Sequence, residues 1–248
     1  MSLVPISFGA ENNPPLVLIH DISGSPFAYL PFGLNALLSQ YTIYGLSSLS
    51  PCSSTAKGFG YPSITAWAEA YATIIESELS EELQVDERVV VGGWSLGGIL
   101  AAEIARIFAR RPAMSKIRVL GLILLDTYAP WHELVHTGPQ GLEVGGMRVE
   151  SGYFTPDELV RIGDVLSDTK RDMWGMDRIG CSAWLITPNI VGANGLEEWF
   201  PDDRRVRRIG QGKEGCDHFS MMDAKGEWIN QVIAEVSSVL KEIKENKQ

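Results

Sequence analysis

A chain of 248 residues, 45% of them hydrophobic, can bury a large core and is too apolar for extended disorder. Its formal net charge of −10, from 21 basic and 31 acidic residues, repels phosphate backbones and argues against a nucleic-acid partner. The N-terminus lacks a basic-then-apolar secretory pattern, and no apolar run approaches the roughly 20 residues of a membrane helix, so a soluble cytoplasmic protein, or a soluble piece of a longer one, is expected.

The first element is a buried strand, Leu16 to Ile19, introduced by Pro14-Pro15 and ending on His20. An irregular connection marked by Gly24 and Pro26 follows, then a short helix over Phe32 to Leu38 and a strand over Tyr41 to Leu46. Ser47 to Pro62, rich in Ser, Gly and Pro, reads as a loop. Ser63 is placed to cap a helix that carries Ile64, Trp67, Tyr71, Ile74 and Ile75 at helical spacing and ends near Leu83. Val89 to Val91 is the next strand, and Ile99 to Arg110 an Ala-rich helix. Ile117 to Asp126 is the most apolar strand candidate; Ser182 to Thr187 and Arg205 to Ile209 supply two more. The basic run Arg204 to Arg208 reads as an exposed strand edge. Lys225 to Lys244 closes the chain as an amphipathic helix.

Strands that alternate with helices and are apolar throughout specify a mostly parallel sheet with helices on both faces, an α/β fold. The alternation stops between Ala129 and Ile179. About fifty residues without structure would be unusual inside a compact domain, and helix-like pieces such as Thr155 to Leu166 suggest an inserted helical lid over the sheet edge. The whole of 1–248 is then one domain with a lid at about 129–179.

In "VVVGGWSLGGIL" a strand meets a helix across Gly93-Trp94-Ser95-Leu96-Gly97, with Gly92 and Gly98 outside it. Gly-x-Ser-x-Gly in a strand–turn–helix setting lifts a serine hydroxyl clear of the sheet and aims the amides of the helix N-terminus at it. "GGWSLGG" fits a dinucleotide-binding Gly-x-Gly-x-x-Gly poorly. A serine nucleophile needs a base. Of the four histidines only His218, in "GCDHFSMM", follows the last strand, as the order Ser, acid, His requires. His132 and His136 fall in the lid segment, and His20 shapes the loop after the first strand. Asp126, at the end of the strand next to the one bearing Ser95, is the leading acid, with Asp202 and Asp203 as rivals. The backbone amides of Leu96 and Ile22, with Asp21 second to Ile22, are the candidate oxyanion donors. Cys52, Cys181 and Cys216 are odd in number and widely spaced, which signals neither a zinc site nor a disulfide framework.

Taken together, "PPLVLIHDISG", "GGWSLGG", "LILLDTYAP" and "GCDHFSMM" resemble the α/β-hydrolase thioesterase domains that terminate polyketide synthases and non-ribosomal peptide synthetases, including fungal ones. The resemblance covers nearly the whole chain, and "LVPISFG" looks like the start of such a domain after a carrier-protein linker. It implies Ser95 as nucleophile, Asp126 as acid and His218 as base, because in this family the acid commonly follows the strand that "LDTY" ends. It also implies an acyl or peptidyl carrier protein as partner and a small-molecule acyl group on that carrier's phosphopantetheine arm as substrate. No cofactor or metal is implied for the domain itself. His-Asp-Ile replaces the His-Gly of many α/β hydrolases after the first strand, and the lid carries no substrate signature. Release by water and release by ring closure or Claisen-type condensation therefore stay open. A free-standing carboxylesterase or lactone hydrolase, a proofreading thioesterase acting in trans, and a non-catalytic ligand binder on the same fold are the alternatives.

Overall fold

The computed structural model describes residues 3–48, 63–82, 87–111, 115–128, 135–138, 141–144, 147–148, 166, 179, 181–188, 204–210 and 216–246. In chain order the elements are β1 (Leu3–Ser7), β2 (Leu16–Ile19), a 3-10 turn (Pro26–Tyr29) running into α1 (Leu30–Leu34), β3 (Ile43–Leu46), α2 (Ile64–Glu82), β4 (Glu87–Trp94), α3 (Leu96–Arg110), β5 (Ile117–Leu125), β6 (Val135–Gly138), β7 (Gly141–Val144), β8 (Met147–Arg148), β9 (Ser182–Thr187), β10 (Arg204–Arg208), a second 3-10 turn (Ser220–Met222) and α4 (Trp228–Glu245). The main sheet has seven strands in the order β1-β3-β2-β4-β5-β9-β10, all parallel except β1.

Alternation along the strands splits the core in two. Val17, Ile19, Val89 and Val91 face α2 and α3, joining Trp67, Tyr71, Ile99 and Ile104. Leu16, Leu18, Val90 and Trp94 face the other way, toward α4 and the 3-10 turns, joining Tyr29, Phe32, Val232 and Val236. Residues of both strand faces are buried, which is why these strands read as unbroken apolar runs rather than as alternation. The sequence pattern places α2, and Ser63 caps it as expected, its Oγ accepting from the Ala66 amide at 3.1 Å.

Several boundaries differ from those expected. The first short helix is Leu30–Leu34, preceded by the 3-10 turn, rather than Phe32 to Leu38. Asn35 stops it, turning extended and offering its side-chain oxygen to the Leu37 amide at 3.0 Å. Strand β4 runs to Trp94 and α3 starts at Leu96, so one residue separates strand from helix. β1 was not expected: Pro5 in "LVPIS" counts against a strand, and the edge of the sheet is where a missing amide is tolerated. In the segment read as a helical lid, the described residues open with a small antiparallel sheet, β6-β7-β8. There β6 and β7 pair antiparallel from Val135–Val144 to Gly138–Gly141, strands where a helix was expected. Leu166 is helical and buried; the remainder of the expected helix over Thr155 to Leu166 lies outside the described residues. The basic run forms β10 at the other sheet edge, where Arg207 pairs with Glu242 of α4.

Candidate active site

Four neighbouring parallel strands end on a polar residue at the same edge of the sheet: β2 on His20, β4 on Ser95, β5 on Asp126 and β9 at Thr187. Ser95 and Asp126 are the non-glycine residues with left-handed backbone among those described, at φ 57° and φ 38°. Such angles cost energy and persist only where neighbours impose them. The Ser95 amide donates to the Leu125 carbonyl at 3.0 Å, and the Asp126 amide to the Ile186 carbonyl at 2.8 Å, so the sheet ladder holds both corners.

The glycines around Ser95 answer crowding. A Cβ on Gly93 would lie 2.3 Å from the Gly97 carbonyl carbon, one on Gly97 would lie 2.3 Å from the Ile19 oxygen, and one on Gly98 would meet Thr127 Oγ1 at 1.8 Å. Helix α3 therefore starts against the ends of β2 and β5, closer than any side chain permits.

Asp126 is fully buried. Its Oδ1 accepts from Thr187 Oγ1 at 2.5 Å, and its Oδ2 lies 2.8 Å from His218 Nδ1. Nδ1 faces a carboxylate and so carries the proton, which leaves Nε2 as the acceptor. Trp94, Tyr128 and Phe219 pack around the imidazole, with ring centroids 5.3, 6.1 and 5.0 Å away. Asp217 shapes the loop, its Oδ1 accepting from the amides of Phe219 at 3.0 Å and Ser220 at 2.8 Å. Burial alone would raise the Asp217 carboxyl; the Ser220 and Phe219 donors, with His218, outweigh it and hold it below the ordinary carboxylate range.

At the end of β2, His20 is fully buried, with Nδ1 2.5 Å from the Asp21 carbonyl and Nε2 2.5 Å from Tyr71 Oη. Burial lowers its pKa to about 4, against a partial rise from that backbone bond, so it is neutral at pH 7. Asp21 is buried with its Oδ1 held by the Ser23 hydroxyl at 2.5 Å and amide at 3.1 Å. Burial pushes its carboxyl up, and Ser23 and the nearby His218 offset this only in part. Ile22 sits half-buried in the turn, and Leu96 opens α3. Among the described residues, neither the Ile22 nor the Leu96 amide donates to a backbone or side-chain acceptor. Tyr29 bridges the strand ends: its hydroxyl donates to the Ile19 carbonyl at 2.7 Å and accepts from the Trp94 amide at 2.8 Å.

Asp126 is thus brought to His218, beside the turn that carries Ser95. Asp202, Asp203, His132 and Cys52 lie outside the described residues, and His136 is on β6. Burial, then Asp217, Asp126 and Glu227, push the Cys216 thiol up to about 11, unsuited to a nucleophile. Among the described residues no three His, Cys, Asp or Glu converge on a metal site, and no helix is long and apolar enough to cross a membrane. Sequence reasoning missed Thr187, Tyr29, Tyr71 and Asp217. Thr187 carried a signal, a polar residue closing an apolar strand, as Asp126 does; the two tyrosines carried none, because aromatic residues at core positions read as packing.

Residues 14–169 match the model of the Thioesterase domain family. The chain is 36% identical over 118 residues to the thioesterase frbD of Dothideomycetidae sp. (strain 11243), covering 47% of this chain and 39% of that protein. It is 32% identical over 121 residues to an atrochrysone carboxylic acid synthase of Calonarius odorifer, covering 49% of this chain and 6% of the synthase. The match thus spans less than half the length of these relatives. Among solved structures, the NocB thioesterase domain in covalent complex with a fluorophosphonate nocardicin G analogue superposes with a TM-score of 0.63 at 17% identity, covering 91% of this chain and 95% of that one. YbtT, a type II thioesterase from the yersiniabactin pathway, superposes with a TM-score of 0.58 at 17% identity, covering 94% of this chain and 97% of that one. At these identities the superpositions speak for the α/β-hydrolase fold.

Proposed function

The chain belongs to the thioesterase domain family, and from that premise we propose that it releases an acyl product from the phosphopantetheine arm of an acyl or peptidyl carrier protein through a covalent intermediate on Ser95. The observation that carries this reading is the buried His218–Asp126 pair at 2.8 Å beside a strained Ser95 turn. In this reading 1–248 is one domain, and 129–179 shapes the acyl pocket.

Ser95 Oγ attacks the thioester carbonyl carbon while His218 Nε2 takes its proton. Asp126 holds the Nδ1 proton and stabilises the imidazolium. The Ile22 and Leu96 amides receive the tetrahedral oxyanion, and neither has another acceptor among the described residues. Collapse breaks the C–S bond, and His218 returns the proton to the departing thiol. The resulting Ser95 ester is then attacked by water, or by a nucleophile within the product, with His218 again as base. Relatives include thioesterases and synthases, so the carrier is supplied either in trans or within one polypeptide.

Intact-protein mass spectrometry with a panel of acyl N-acetylcysteamine thioesters, which copy the end of the arm, tests this. The wild type should acquire an acyl adduct and Ser95→Ala should not. An adduct of equal yield on Ser95→Ala removes Ser95 from the mechanism. Matched oxygen esters turned over faster than thioesters would move the reading to a carboxylesterase.

A further inference from the structure

His20 and Tyr71 lie outside the Ser95, Asp126 and His218 set, yet both side chains are completely buried, His20 just before the turn that offers the Ile22 amide and Tyr71 bonded to it from α2. A carbonyl oxygen can only accept, so the contact between His20 Nδ1 and the Asp21 oxygen fixes the proton on Nδ1. Nε2 is then the acceptor, and Tyr71 must be the donor to it. A neutral imidazole has one donor and one acceptor site, and here each is used once. The Asp21 oxygen also takes the Gly24 amide at 3.1 Å, so both its lone pairs are engaged.

The Asp21 carbonyl and the Ile22 amide belong to the same peptide unit. In a planar trans peptide the C=O and N–H point in opposite directions. Pinning the oxygen toward His20 therefore aims the Ile22 N–H away from the imidazole, and that N–H has no acceptor among the described residues. Two donors on the oxygen also polarise the peptide and make its N–H a stronger donor. Tyr71 reaches this relay from α2, on the face of the sheet that α2 and α3 cover.

We propose that Tyr71 and His20 are positioning residues that orient and polarise the Asp21–Ile22 peptide, so that the Ile22 amide meets the developing oxyanion. This rests on the thioesterase reading above. Tyr71→Phe keeps the ring and its packing and removes the one O–H that locks the His20 ring. It should lower kcat by about 10- to 100-fold with KM nearly unchanged, since a misaimed oxyanion donor acts in the transition state. A second substrate separates positioning from general disturbance. Sulfur accepts amide hydrogen bonds poorly, so a dithioester analogue gains less from the hole, and Tyr71→Phe should slow the thioester far more than its dithioester. Equal slowing of both, or wild-type kinetics, overturns the proposal. Histidine 15N NMR of the wild type supplies a readout independent of any variant's folding: His20 should hold the neutral Nδ1–H form from pH 6 to 8, and an Nε2–H form overturns the relay. Failure of the underlying reading is seen separately, as wild-type protein that neither labels with a fluorophosphonate at Ser95 nor turns over thioesters.

Discussion

Tyr29→Phe probes how the ends of β2 and β4 are held at the site. In the sheet, Ile19 pairs with Gly93, so Trp94 lies one residue beyond the reach of β2. The Tyr29 hydroxyl stands where a further β2 residue would be, accepting from the Trp94 amide and donating to the Ile19 carbonyl. Burial, with the nearby Asp21 charge, pushes the phenol well above its ordinary value, so its proton is present at any working pH. Phenylalanine preserves the ring's contact with Phe32, at 5.8 Å between centroids, and leaves one buried donor and one buried acceptor unpaired. Each orphaned group costs about 1–3 kcal/mol, so a loss of about 2–6 kcal/mol is expected. Urea denaturation followed by tryptophan fluorescence should show a lower midpoint at unchanged slope. A loss within the roughly 0.5 kcal/mol of an indifferent surface substitution would refute the reasoning.

Two further outcomes are expected. Asp126→Asn should fold, since Asn tolerates left-handed backbone, yet lose about 10⁴-fold in kcat because the His218 tautomer is no longer fixed; Asp202→Asn and Asp203→Asn should keep wild-type rates, and the opposite pattern would transfer the acid's role. Stability should also respond to pH through His20. Unfolded chain takes up a proton near pH 6.5 while the native imidazole resists until about pH 4, so the stability present above pH 6.5 falls as pH drops toward 4, by about 3 kcal/mol in all. Urea titrations from pH 7.5 to 4 should show this slope reduced in His20→Gln, and an identical slope in both would contradict a neutral buried His20.

The sequence disclosed the parts that obey short-range rules. Strands β2, β5 and β9 were legible as apolar runs because both faces of the sheet are covered, and the Ser95 turn because close packing leaves glycine no substitute. His218 followed from chain order. The contacts that complete the site span long separations: Thr187 to Asp126 across 61 residues, Trp94 to Tyr29 across 65 and Tyr71 to His20 across 51. No periodicity encodes such pairings, since Tyr29 and Tyr71 occupy positions that any large apolar residue could fill. β1 escaped notice for the converse reason, its proline being acceptable only at an edge that the sequence does not announce.

The corner at Asp126 ties strand register to side-chain placement. Its amide is tied to Ile186 and its carboxylate to Thr187, and β5 and β9 run side by side in register from Gly121–Ser182 to Leu125–Ile186. Two neighbouring strands and the His218 loop thus meet at one carboxylate, so sheet register and carboxylate direction become a single variable: a slip of β9 against β5 would carry Thr187, and with it the hydrogen bond on Oδ1, away from Asp126.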